Sequence, residues 1–405
     1  MSVPSHPTDV CIVGGGPAGM LLGILLAEQK IKTLVLEQHR DFSREYRGEV
    51  LMPRFTQMLR QIRLFDFIET YPHLKLRNAE IFFKDHKIAD FDFSKTAPGA
   101  PFAIWMPQTI LLNALHDKAK DNPYFDLWFD TSAQELIKES ERITGIVANQ
   151  AGKRVEIQAK ITVGADGRSS VIHRAGNFEN DEEDYEFDII WFTIPKPKNY
   201  DNTVRGFLSL KQGYLILPKY PDLIQCGLIA RKGQFAAYRK SGIESFRRDI
   251  LSAHSVMRPF AEGLKDFSPF NVLQARTSHV KEWAKDGCLL IGDAAHTCSP
   301  AGAVGVSVAA GTAIVAADVI GKAIRANDFS KKMLGKVQEL RDSEVREIQK
   351  TQKNITRFLS PDAIVKRTFG FLFLLLLSRT SLLSKLQRRI AVSENPLPID
   401  PGLHF

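Results

Sequence analysis

DVCIVGGGPAGMLLGILLAEQKIKTLVLE, residues 9–37, reads as strand, glycine turn, helix and strand in unbroken order. Asp9 to Val13 is a short apolar run suited to a buried strand. Gly14, Gly16 and Gly19 follow at once as GxGxxG and open an apolar helix, Met20 to Glu28. Thr33 to Leu36 is a second strand, and it ends in Glu37, 18 residues beyond Gly19. In such a unit the first glycine permits a tight turn and the second lets backbone meet a pyrophosphate. The third brings helix and sheet together, and the acid takes ribose hydroxyls. The turn lies at a helix N-terminus, where phosphate is favoured. Glycines alone are weak evidence; strand, turn, helix, strand and acid in register predict a Rossmann-like dinucleotide-binding unit.

A second stretch, LLIGDAAHTCSPAGAVGVSVAAGTAIVAADVI, repeats the logic near the other end, residues 289–320. An apolar strand, Cys288 to Ile291, runs into Gly292 and Asp293. A Pro/Gly loop from Ser299 to Gly305 follows, then a helix rich in Ala, Gly and Val. Asp293 sits where α/β folds place ligand-binding groups, and its carboxylate suits a polyol. The loop lets backbone approach a flat ligand, and the helix behind it aims N–H groups there. Between the two stretches, the strand Ile161 to Val163 runs into Gly164, Asp166 and Gly167, with Arg168 and Ser169 opening a helix. Three strand-to-helix crossings are thus expected to converge on one ligand.

The rest of the chain divides around these crossings. Ala79 to Phe93 alternates as short strands and leaves the first unit. Gln108 opens a helix after PFAIWMPQ. Phe187 to Arg231 is strand-rich, bounded by Gly, Pro and Asn/Asp, and predicts an antiparallel sheet. Asn180 to Asp184 reads as a solvated acidic loop, and Phe270 to Trp283 as the return to the first unit. Gly242 to Leu264 and Asp328 to Ile355 read as helical. The expected fold is α/β: a discontinuous Rossmann-like domain (1–78, 99–180 and 271–330), an inserted antiparallel β-sheet substrate domain (79–98 and 181–270) and a C-terminal helical region (331–405).

Composition narrows the function classes. The 405 residues are 44% hydrophobic and 25% charged, ordinary for a globular chain. A net charge of +8, from 54 basic and 46 acidic residues, suits anionic cofactors. No basic–aromatic repeat points to nucleic acid. Cys11, Cys226, Cys288 and Cys298 form no CxxC. They read as buried, reduced thiols of a cytoplasmic protein, with a reactive Cys298 the lesser reading. No metal site is expected. No run reaches the ~20 apolar residues of a bilayer span. The tail run FGFLFLLLL, 369–377, reads as a packed helix or a cover for the active site. Peripheral membrane contact through Leu382, Leu383, Leu386, Lys385, Arg388 and Arg389 is the lesser reading.

GGGPAG at 14–19, GADGR at 164–168 and GDAAH at 292–296 together resemble the single-component flavoprotein aromatic hydroxylases, the p-hydroxybenzoate hydroxylase-like family. The resemblance covers roughly residues 8 to 390 in motif order. It implies FAD, NADPH or NADH as reductant, and O2, with one oxygen atom transferred to an aromatic or apolar substrate through a flavin hydroperoxide. It assigns Gly14, Gly16, Pro17, Ala18, Gly19, Glu37 and Gln38 to the ADP half of FAD. Arg47 resembles the arginine beside the flavin, and Gln108 the glutamine near the ribityl chain. Asp166 matches the DG motif, and Gly292 and Asp293 the GD motif on the ribityl side. Pro300, Gly305 and Val306 lie in the loop expected beside the flavin ring, Pro300 toward substrate. Ser307 stands where many relatives have Asn, a departure that leaves the backbone contacts of the loop as the expected ones.

The protein's task in such chemistry is to exclude water and place the substrate carbon. No nucleophile or acid–base dyad is required, and no base is assigned. His296 reads as structural. Tyr214 and Arg205 are substrate-pocket candidates beside Pro300, with core or surface placement equally open. A flavin-dependent halogenase is one alternative, since IIWFTIP at 189–195 is similar to WxWxIP. Ile190 and Phe192 occupy its two Trp positions. An FAD-dependent reductase of a lipid or isoprenoid double bond is another, and a non-enzymatic flavin-binding protein a third. The chain is expected to be a monomer or homodimer.

Overall fold

The computed structural model describes residues 5–43, 49–83, 86–96, 99–198, 200–209, 213–253, 257–359, 388, 391–393 and 395–405. Arg47 lies outside these residues, as does the tail named above apart from Arg388.

An eight-stranded sheet forms the first layer. Its parallel heart runs Cys288–Leu290, Lys153–Gly164, Ser5–Val13, Thr33–Leu36 and Phe125–Trp128 as neighbours. Strands Thr131–Glu139 and Arg142–Gln150 extend it as an antiparallel meander off Lys153–Gly164. The central parallel strands are buried on both faces where they approach the strand ends, as helix-covered strands must be. Thr33–Leu36 is buried at every position.

Two long apolar helices follow: the first packs on this sheet, and the second packs chiefly on the first. Pro17–Glu28 is apolar all round and buried from Ala18 to Ala27. Gly305–Ala326 is buried along most of its 22 residues. The latter is long and apolar enough to cross a bilayer, which the sequence reading excluded for every run. Its most apolar window is nevertheless 83% buried inside the protein. Small side chains explain this: Ala309, Ala310, Ala313, Ala316 and Ala317 let neighbouring helices approach.

A seven-stranded sheet makes the second layer, in the order Phe270–Val280, Asn180–Pro195, Leu223–Arg231, Gly213–Lys219, Val204–Leu208, Asn78–Phe83, His86–Asp92. The excursion at 79–93 therefore completes this sheet. Two expectations differ from what is observed. Asn180–Asp184 is not a loop but the exposed start of a 16-residue strand. Phe270–Val280 does not return directly to the first sheet; it pairs with Asn180–Pro195 as an edge strand. Acidic side chains mask the first strand, because pairing through backbone places no demand on their polarity. Helices Gln234–Ser241, Ile243–Ala253 and Arg258–Glu262 cover one face of this sheet through Tyr238, Phe246, Ile250 and Phe260. Val50–Leu51, Ala103–Trp105 and Leu74–Leu76 form a small third sheet between the layers.

The polar helix Lys336–Leu359 holds the Pro/Gly loop after Asp293. Gln352 is 1% exposed. Its Nε2 donates to the carbonyls of Ser299 and Ala301, both at 2.7 Å, and its Oε1 accepts from Ser299 N at 3.2 Å. Gln349 Nε2 adds bonds to the carbonyls of Ser278 and Thr297, each at 3.0 Å. Removing one buried amide leaves three backbone groups without partners. Gln352→Ala is expected to cost about 2–3 kcal/mol, read as a lower urea midpoint. An unchanged midpoint would show that the loop is held by other means.

Candidate active site

Four strand ends stand level at one edge of the first sheet. Val13 pairs with Gly164 and with Leu36, and Gly164 pairs with Leu290. Backbone bonds stitch the turns beyond them: Gly14 N to Leu36 O at 2.8 Å, Ala165 N to Val13 O at 2.8 Å, Ile291 N to Gly164 O at 2.9 Å. The three crossings expected from sequence do converge.

The glycines have distinct jobs. Gly14 has φ +113°, and a Cβ there would lie 2.4 Å from Ala165 O. A Cβ on Gly19 would lie 1.9 Å from Gly14 O. Both are excluded by the protein's own backbone. A Cβ on Gly16 would meet nothing within 4 Å. Its space is open toward a cavity of about 1720 Å³ that Gly16 lines. No side chain caps the helix at Gly16, so the positive end of Pro17–Glu28 is left for a ligand.

Gly14, Gly16, Pro17, Ala18, Glu37, Gln38, Gln108, Asp166, Asp293, Pro300, Gly305 and Val306 all line this one cavity. Gly19 and Gly292 stand behind it as packing residues: Gly292 has φ +59° and its Cβ position lies 3.2 Å from Ala18 Cβ. Glu37 is 1% exposed. Its Oε2 accepts from Gly15 N at 3.1 Å, and its Oε1 lies 2.6 Å from His39 Nδ1. Gln38 is exposed at the rim. Gln108 Oε1 is buried without a hydrogen-bond partner among the described residues. A polar ligand group in the cavity would supply that partner.

Asp166 works mainly on the protein itself. It accepts from Ser170 Oγ at 2.5 Å and from Val171 N at 2.6 Å, and so caps the helix Val171–Ala175. Burial pushes its carboxyl up, and those hydrogen bonds oppose the shift. Asp293 is one-third exposed and accepts from Arg168 Nε at 3.3 Å. Arg276 Nη2 donates to the Arg168 carbonyl at 3.0 Å and also lines the cavity. Arg276 lies on an alternating strand with no local motif, so sequence patterning gave no signal for it.

The other candidates fall elsewhere. Tyr214 borders the cavity but is 1% exposed and packs in the core behind the second sheet, where burial holds its phenol well above the usual range. Arg205 stands opposite Ile216 in the register, on the helical face. Its guanidinium pairs with Glu80 at 2.9 Å and Asp201 at 2.8 Å and lies over the Tyr200 ring. It does not line the cavity. Cys298 borders the cavity at 3% exposure, and burial pushes its thiol up to about 12, the opposite of a reactive thiolate. All four cysteines are unpaired and buried.

His296 is structural. Its Nε2 lies 2.9 Å from Thr312 Oγ1, which itself donates to Val308 O, and its ring packs 4.8 Å from Trp283. Burial lowers its pKa to about 3.

The chain belongs to the FAD binding domain family, which it matches over residues 7–331. FAD is its cofactor, and the open Gly16 turn and the partnerless Gln108 oxygen fit that group. It is an oxidoreductase of the flavoprotein class, similar in particular to three proteins. A 6-methylpretetramide 4-monooxygenase of Streptomyces rimosus is 27% identical over 98% of this chain and 95% of the relative. A 1H-pyrrole-2-carbonyl-(peptidyl-carrier protein) chlorinase of Pseudomonas fluorescens is 28% identical over 80% of this chain and 78% of the relative. The crystal structure of PqsL, a probable FAD-dependent monooxygenase from Pseudomonas aeruginosa, superposes with TM-score 0.79 at 19% identity, covering 91% of this chain and 100% of that one.

Two outcomes test this site. Gly16→Ala should keep the melting temperature of the FAD-free protein yet weaken FAD binding by about tenfold or more. Gly19→Ala should lower the melting temperature with or without FAD. Equal behaviour of the two variants would refute the division of labour. The second test is acid stability. An unfolded imidazole titrates near 6.5, and the folded His296 only near 3. The folded chain binds fewer protons in that window, so stability is full above 6.5 and falls as pH drops toward 3. His296→Asn should flatten the decline in melting temperature between pH 7 and 5.

Proposed function

We propose that this chain hydroxylates an aromatic or apolar small molecule, taking electrons from NADPH or NADH and one oxygen atom from O2. The observation that carries this reading is the cavity itself. Its one wall is the cofactor edge of the first sheet, and its floor is a face of the second sheet that is apolar apart from residues such as Gln225 and Asn271. At about 1720 Å³ it exceeds the roughly 300–1,000 Å³ of an ordinary ligand pocket. That leaves room for a second ligand beside the cofactor. The relative named for 6-methylpretetramide monooxygenation, aligned over nearly the whole chain, supports the reaction class.

Bound FAD would supply the redox and oxygen chemistry. We assign the turn at Gly14, Gly16, Pro17 and Ala18 to the pyrophosphate and Glu37 with Gln38 to the adenosine side. Gln108 and Asp293 serve the ribityl side. Pro300, Gly305 and Val306 would lie beside the flavin ring, and Gln352 holds the same loop at Ser299 and Ala301. Asp166 and Arg168 shape the same edge, and Gly292 lets the chain turn behind it. The chain's own task is to keep water out and hold the substrate: Ile81, Leu215, Leu217 and Ile229 floor the cavity without offering a proton donor. Buried unpaired thiols agree with cytoplasmic placement.

The chlorinase relative favours halogenation as a second reading. Against it, Ile190 and Phe192 are fully buried and belong to the core on the helical side of the sheet. They replace the tryptophans of the halogenase pattern and do not line the cavity.

The test is anaerobic reduction of the purified flavoprotein by NADPH or NADH, with and without a panel of phenols and quinones, followed by aeration. Substrate-accelerated bleaching and a product heavier by one oxygen are expected. A halogenated product in bromide or chloride buffer would favour the second reading. Bound flavin that neither nucleotide reduces would sink the single-component reading and point to a separate reductase or a non-catalytic role.

A further inference from the structure

The floor of the cavity is a continuous row of cross-strand partners. Trp191 stands opposite Gly227, Gly227 opposite Leu215, Leu215 opposite Gly206, Gly206 opposite Ile81, and Ile81 opposite Ala89. All of them line the cavity. Six strands at about 4.8 Å per step make a floor roughly 24 Å wide. Strand alternation sends the intervening residues, Ile190, Cys226 and Ile216 among them, to the helix-covered core on the other face.

Within this row Trp191 is held in an unusual way. A Cβ built on Gly227 would lie 2.6, 2.9 and 2.9 Å from Cζ3, Cε3 and Cη2 of Trp191. These three atoms belong to the six-membered ring. The indole therefore lies down across its cross-strand neighbour instead of standing up from the sheet. It fits there because residue 227 has no side chain. The ring is half-buried, and its protein-facing side rests against Gly227. The other side is turned to the cavity that both residues line. The flanking positions keep the surface low: Leu215 follows Gly227, and Gly206 follows Leu215.

We propose that Trp191, laid flat by Gly227, is a stacking platform that selects planar fused-ring aromatic substrates over single-ring ones. The inference rests on the aromatic-substrate reading above and names its substrate class. A flat indole presents a π-face to a flat ligand, and offset stacking rewards overlap. A wide floor of small and aliphatic side chains accommodates further rings in the same plane. A single ring covers the indole and leaves the rest of the floor wet.

The experiment measures binding without turnover. FAD-loaded, oxidised protein is titrated with 1,8-dihydroxyanthraquinone and with phenol, following the flavin difference spectrum. Wild type should bind the three-ring probe at least about tenfold more tightly than phenol. Trp191→Ala should lose about tenfold for the three-ring probe and little for phenol, and Trp191→Phe should recover most of the loss. Gly227→Ala retains the indole but lifts it, and should lose affinity for the three-ring probe as Trp191→Ala does. FAD content and melting temperature of each variant separate a lost platform from a misfolded chain. Equal affinity of wild type for both probes, or an unaltered three-ring affinity in folded Trp191→Ala, overturns the proposal while leaving hydroxylation standing. Platform-dependent binding, together with no oxygenated product from any compound in the NADPH or NADH assay above, would overturn hydroxylation and leave the platform.

Discussion

The structure depends on an approach of backbone to backbone that no side chain would permit. Gly19 sits over the carbonyl of Gly14, and Gly14 over the carbonyl of Ala165. These contacts draw the first helix onto the first strand, and the first strand's turn onto its parallel neighbour's. The neighbouring strand ends become level within hydrogen-bond distance as a result. Only then do Gly16, Asp166 and Asp293 share one cavity. A methyl group at either glycine would separate the elements by more than an ångström, which a close-packed interior cannot absorb without strain. Gly16 belongs to the same motif yet is free of that constraint, which is why its space can serve a ligand.

The second constraint is strand alternation. One face of the seven-stranded sheet must bury aromatic side chains under three helices; the other must stay open. A period of two residues does both with one sequence. Phe192, Ile190 and Ile194 go to the helices, while Ile189 and Trp191 go to the cavity. The same rule disposes of Arg205 and Tyr214. Both were attractive by residue type, and both lie on the face where alternation puts them in the core or in ion pairs.

The cofactor edge was legible in the sequence because each of its parts is local. Glycine spacing, strand length and the acid at Glu37 are set by a single βαβ unit, and two further turns repeat the pattern. What the sequence did not reveal is non-local. Gln352 grips Ser299 across 53 residues, and Arg276 meets Arg168 across 108. Neither partner carries a motif. The strand at Asn180–Asp184 was hidden for another reason: its side chains face solvent, so hydrophobic patterning had nothing to detect. Trp191 was visible as a residue, but its posture was not, because that depends on a glycine 36 positions later that faces it across the sheet.

The site also differs in kind from one built on acid–base groups. Among the described residues that line the cavity, burial raises the Cys298 thiol, Asp166 is engaged as a helix cap, and Glu49 is raised by burial against its partner Lys219. A reactive thiol would show the reverse shift, with its pKa lowered. Here the protein invests in geometry. The polar C-terminal helix fixes the loop at Ser299–Ala301 through amide groups that cannot titrate. The chain returns to line the cavity at Ala391, where Arg54 Nη2 anchors the backbone by donating to Val392 O at 2.7 Å. Reactive oxygen chemistry on a cofactor requires a dry, fixed enclosure more than a titrating one. The described segments that build this enclosure range from Val13 to Ala391.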